Sequence, residues 1–126
     1  MSDRVAQRLR DALDACGHIG AFIAGKSFQN YEAEYGPRLQ IERLLEIVGE
    51  SLNRAQHEEP ALAEDIPELG KIVGMRNRII HGYDAVDDEL VWLAATYHIP
   101  ILSESLEQWL LEQPSQGEDD ETEQGN

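Results

Sequence analysis

Apolar residues recur along the chain at steps of three and four. Val5, Leu9, Ala12, Cys16, Ile19 and Ile23 form one stripe, and Gly25 is a natural stop after it. Ile41, Leu44, Leu45, Val48, Leu52 and Ala55 form a second. The segment between them, KSFQNYEAEYGPRLQ, reads either as one helix running from Ser27 or as a short helix before a long one. Pro37 suits a first turn or a kink. HEEPALAEDIPELG, with Pro60 and Pro67, reads as a connection holding about one turn of helix. Pro67 opens a third helix with apolar positions Leu69, Ile72, Val73, Ile80 and, roughly, Ile79, and Gly82 is placed to end it as a left-handed cap. Asp87 is a good N-cap for a fourth helix, with Asp88 and Glu89 in its first turn. Pro100 removes a backbone donor inside that helix and predicts a kink. No stretch alternates as a strand would. The expected fold is all-α, an antiparallel bundle of four main helices over residues 1–111, followed by an acidic, disordered tail over residues 112–126.

Composition narrows the picture. A chain of 126 residues makes one domain, long enough to bury a core without disulfides or metal. Cys16 is the one cysteine, so no intrachain disulfide forms, which suits a reducing compartment. The opening MSDRVAQRLRDAL does not read as a signal peptide, and no apolar stretch is long enough to span a membrane, so a cytoplasmic protein without membrane contact is expected.

The formal net charge is -15. Six acids fall after residue 111 with no Lys or Arg among them, leaving 19 acids and 10 bases in the remainder. Such a surface repels nucleic acid at long range, so an RNA-directed function needs a local basic patch. KIVGMRNR supplies one in sequence, with Lys71, Arg76 and Arg78 and no acid between them.

The chemistry gathers in MRNRIIHGYD, residues 75–84. Arg76 offers a planar cationic fork for phosphate oxygens. His81 can give and take protons near neutrality. Asn77 lies four residues before His81, on the same helical side, and Tyr83 adds a hydroxyl. A phosphate holder and a proton-transfer group are what RNA cleavage by its own 2'-hydroxyl requires, with no obligatory metal. The four histidines are scattered, with no His-x-x-x-His and no cysteine pair, so no metal site is expected. On an ideal helix Arg76 and His81 point about 140° apart. They converge if the helix bends at Gly82, if the long Arg wraps round, or if two copies of the segment share one cleft. A homodimer is favoured, because it also doubles the local positive charge.

Arg-x4-His alone is expected by chance in roughly one of four chains of this composition, whereas adding the Asn and the Tyr brings this to roughly a few in ten thousand. GMRNRIIHGYD resembles the signature of HEPN-domain proteins, in particular the HepT-like toxins. RLLEIVGESLNRA is similar to that branch's Ile-Gly-Glu-Ala segment. IPELGKIVGMRN resembles its entry into the third helix, and DDELVWLAATYHIPIL its fourth helix with a Pro kink. The resemblance spans residues 4–111.

It implies a helical bundle that dimerises with the motif at the interface. It implies a metal-independent endoribonuclease toxin, in which Arg76 and His81 are catalytic and Asn77 and Arg78 auxiliary. The implied partner is an MntA-like minimal nucleotidyltransferase antitoxin that transfers AMP from ATP to Tyr83. The toxin itself then needs no cofactor, and its substrate is RNA. The competing readings are a non-catalytic helical subunit that binds a nucleotide or the nucleotidyltransferase, and a helical dimer whose polar cluster only fixes pairing. As a purely structural residue, Arg76 would pair with an acid such as Glu50.

Overall fold

The computed structural model describes residues 3–80, with 79 and 80 as backbone alone, and 87–113. Among these residues the secondary structure is entirely helical: α1 (Asp3–Ile23), α2 (Phe28–Ala33), α3 (Tyr35–Glu58), α4 (Leu62–Asp65), α5 (Pro67–Ile80), α6 (Asp88–Leu93) and α7 (Ile99–Glu112). A π turn, Ala94–His98, joins α6 to α7 without a break, so four long units carry the bundle.

The stripes seen in the sequence become the core. Val5, Leu9, Ala12, Cys16 and Ile19 of α1 are buried, as are Ile41, Leu45, Val48, Leu52 and Ala55 of α3. Ile23 and Leu44 pack against that core half-buried. Leu69, Ile72 and Val73 of α5 and Val91, Ile99, Leu102 and Leu106 of the last unit close it. The central helix α1 packs against α3 and α7, and α3 packs against α5.

Local chemistry sets the boundaries. Gly25 takes φ 74°, the left-handed conformation that turns the chain after α1. Between α1 and α3 the chain takes the two-helix option. Ser27 accepts from the Asn30 N–H while the Asn30 side chain accepts from the Ser27 N–H, and Glu34 is the non-helical break between α2 and α3. Pro37 lies in the first turn of α3, where its missing N–H costs nothing. Asp87 accepts from the N–H groups of Glu89 and Leu90 and starts α6. Instead of a simple kink, Pro100 is preceded by the π turn. The Ile99 N–H reaches back to the Ala94 carbonyl, and Thr96 Oγ1 donates to the Trp92 carbonyl at 2.7 Å. Widening the helix one turn early makes room for a proline ring that would otherwise press on the Thr96 carbonyl.

Gly82 as a cap and the tail from residue 114 lie outside the described residues. No helix among the described residues is long and apolar enough to cross a membrane.

Candidate functional site

The apolar spacing of α5 (69, 72, 73) has its next position at residue 76, which is an arginine. Arg76 therefore faces the bundle. Its aliphatic stem lies along α3 and its residue is half-buried. The opposing stripe of α3 is Leu45, Val48, Gly49 and Leu52, and Gly49 is itself buried. A Cβ on Gly49 would stand 2.5 Å from both Cβ and Cγ of Arg76 and 3.2 Å from its Cδ. The missing side chain at position 49 is thus the space that the Arg76 stem occupies.

Among the described residues the head group is held from one side only. Arg76 Nη1 donates to Asn77 Oδ1 at 2.9 Å, while the buried Nε–H has no acceptor among the described residues. Glu50, the acid expected in a structural pairing, instead accepts from Arg54 Nη2 at 2.7 Å, one helical turn along α3. Among the described residues Arg76 and Arg78 have no ion-pair partner. A guanidinium with a packed stem, one oriented edge and no carboxylate is poised to take an oxyanion.

Lys71 and Arg78 are exposed, seven residues apart and so on one side of α5, whereas Arg76 turns to α3. The patch that looked free of acid has one in space. Lys71 Nζ lies 3.7 Å from Glu68 Oε2. Glu68 is buried and its other oxygen lies 2.9 Å from His98 Nδ1 in the π turn. His98 thus ties the start of α5 to the last unit.

His81 and Tyr83 lie outside the described residues, as does the convergence of Arg76 with His81. Gly49 lies in the segment similar to Ile-Gly-Glu-Ala, yet that resemblance gave it no role at the site, although a signal existed. A glycine at a core-facing position inside a long helix costs about 1 kcal/mol relative to alanine, and it persists where something must come close.

Elsewhere, burial pushes the Cys16 thiol up to about 11, against a hydrogen bond with Ser103 that lowers it. Burial also raises the Tyr31 phenol, whose hydroxyl has no hydrogen-bond partner among the described residues, and the Glu42 carboxyl, which Asp88 raises further and Arg38 lowers. His18 and His57 are exposed, beside Asp14 and the Asn53 carbonyl respectively.

A family model described as ribonuclease HepT-like matches residues 12–109. Among similar proteins, a candidate RNase of Methanocaldococcus jannaschii is 27% identical over 101 residues, covering 79% of this chain and 81% of its own. A probable ribonuclease HepT of Thermococcus cleftensis is 27% identical over 99 residues, covering 79% and 89%. A candidate RNase of Caldanaerobacter subterraneus is 26% identical over 102 residues, covering 81% and 90%. No solved structure matches. The match covers most of the helical bundle, including both Gly49 and the Arg76 segment, and on that ground the chain belongs to the HepT-like ribonuclease family.

Proposed function

We propose that this protein is a metal-independent endoribonuclease and the toxin of a toxin–antitoxin pair. The observation that carries the reading is Arg76: its stem packed on Gly49 and its guanidinium held by Asn77, with no carboxylate partner among the described residues, five residues before a histidine in a chain of the HepT-like ribonuclease family. His81 takes the proton of the RNA 2'-hydroxyl. The 2'-oxygen attacks the adjacent phosphorus, and the bond to the 5'-oxygen breaks. That oxygen leaves with a proton, and the products are a 2',3'-cyclic phosphate and a 5'-hydroxyl end. Arg76 steadies the charge that grows on the phosphoryl oxygens. Asn77 holds the fork in register, and Arg78 adds local positive charge. Two copies form the cleft, which raises the positive charge beside an otherwise acidic molecule.

A minimal nucleotidyltransferase partner moves AMP from ATP to the Tyr83 hydroxyl. The added phosphate and base, two residues from His81, repel the RNA backbone and fill the cleft. The test is cleavage of RNA in EDTA by the unmodified chain, with end-group analysis. Cyclic phosphate ends that vanish in His81→Ala support the reading. An intact substrate with wild-type dimer, together with equal harmlessness of wild type and His81→Ala to cells, overturns it. The strong acidic balance favours a second reading, a non-catalytic subunit of a nucleotidyltransferase complex, which would bind its partner or ATP and never cut RNA.

A further inference from the structure

Charge is unevenly divided along this chain. Every Lys and Arg lies at or before Arg78, and the 48 residues after it hold 12 acids and no Lys or Arg. The last helical unit, α6 through α7, belongs wholly to that anionic part. It also carries an apolar stripe that nothing among the described residues covers. Leu93, Tyr97 and Ile101, spaced four apart, are 46%, 57% and 39% exposed. A soluble chain commonly leaves single apolar residues exposed, whereas three in register on one helix make a face.

Both ends of the stripe open into grooves. Leu93 shares an open groove of about 580 Å³ with Phe28, Leu90 and Trp92, rimmed by Asp87 and Glu89. Ile101 shares one of about 320 Å³ with Trp109, rimmed by Asp65, Glu104 and Glu112. No Lys or Arg lines either groove. Neither Arg76, Asn77 nor Arg78 lines them.

We propose that this face is the docking surface for a protein partner that presents a cationic amphipathic helix, Leu-like residues at three- and four-residue spacing flanked by Lys or Arg. The apolar floor supplies affinity and the acidic rims choose the partner. A second copy of the chain is disfavoured by the same charges. A two-fold contact sets a patch against itself, and here acid would meet acid. RNA is repelled outright. The proposal does not rest on the nuclease reading.

The test uses the full chain and a synthetic helix-forming peptide of about four turns with a Leu stripe and Lys flanks. Binding is measured by calorimetry against two controls, a scrambled peptide of equal composition and a peptide with Glu in place of Lys. Expected is binding at least tenfold tighter than either control. It should fall at least tenfold in the exposed-site variant Leu93→Ser/Tyr97→Ser, which keeps the wild-type circular dichroism and melting temperature. The variant Glu89→Lys/Glu104→Lys should prefer the Glu peptide. Equal binding of the scrambled peptide, or of the Lys and Glu peptides, overturns the proposal. So does a dimer that Leu93→Ser/Tyr97→Ser converts to monomer, which assigns the face to a second copy. Uptake of the wild type, but not this variant, by phosphatidylcholine vesicles assigns it to lipid and overturns the proposal equally.

Discussion

Gly49 and Arg76 meet so closely that a methyl group on the glycine would stand 2.5 Å from two carbons of the arginine stem. Helices α3 and α5 are joined at a position where one contributes no side chain and the other a charged one. The packing of the bundle and the aim of the guanidinium are therefore one contact.

Gly49→Ala should destabilise the protein by about 1–3 kcal/mol, because the added carbon must displace α5 or drive the stem off its rotamer. Gly74→Ala, on the same α5, is the internal control. It meets nothing within 4 Å among the described residues and should stabilise by about 0.5–1 kcal/mol through helix propensity. Urea denaturation of the two variants checks the contrast. Similar small gains in both would mean that the close approach is not what the geometry says.

Arg76→Ala should lower RNA cleavage about 10²–10³-fold, the scale on which one oriented donor to a developing oxyanion counts. Arg76→Lys should recover little, since a point charge replaces a fork. Asn77→Ala removes the acceptor that holds Nη1 at 2.9 Å and should fall between wild type and Arg76→Ala. Single-turnover rates on an unstructured RNA check the order of the three.

The Glu68–His98 pair should matter to stability and not to chemistry. His98→Ala strips a buried carboxylate oxygen of its 2.9 Å partner and should cost about 1–3 kcal/mol. A thermal melt that matches wild type would argue against the pair as a tie between α5 and the π turn.

Cys16 should resist alkylation while the chain is folded. Its thiol, raised to about 11 from an ordinary 9.0, stays protonated where the unfolded chain's thiol ionises. The folded pKa is the higher one, so this group's contribution to stability is intact below about pH 9 and is lost as pH rises toward about 11. Labelling with iodoacetamide at pH 8, with and without denaturant, checks the first statement, and the urea midpoint of wild type against Cys16→Ala over that pH range checks the second.

Glu42→Gln should be neutral or stabilising at pH 7, because burial, with Asp88 beside it, raises the carboxyl of Glu42 and so disfavours its charge. Here too the folded state holds its proton more tightly, so the group costs stability once pH exceeds the unfolded carboxyl's range. The advantage of the variant should disappear at acid pH. Denaturation midpoints at pH 3 and pH 7 check the sign.

The helices were legible because each buries one stripe, and a stripe with a period near 3.6 is written into the order of residues. Val5 to Ile19 and Ile41 to Ala55 needed no partner to be recognised. The caps at Ser27 and Asp87 and the opening proline at position 67 are local chemistry of the same kind. The RNRIIHGY run was equally visible, since residue type and spacing alone made it unusual, and family membership was legible with it. What the order of residues could not state was which stripe meets which. That Gly49 faces Arg76, that Arg54 rather than Arg76 claims Glu50, and that His98 reaches Glu68 across 30 positions are contacts between helices. The register between helices is settled by packing three-dimensional surfaces together. Tertiary structure alone decided that the stem of the motif's arginine packs against α3, because only there does the absence of one side chain become room for another.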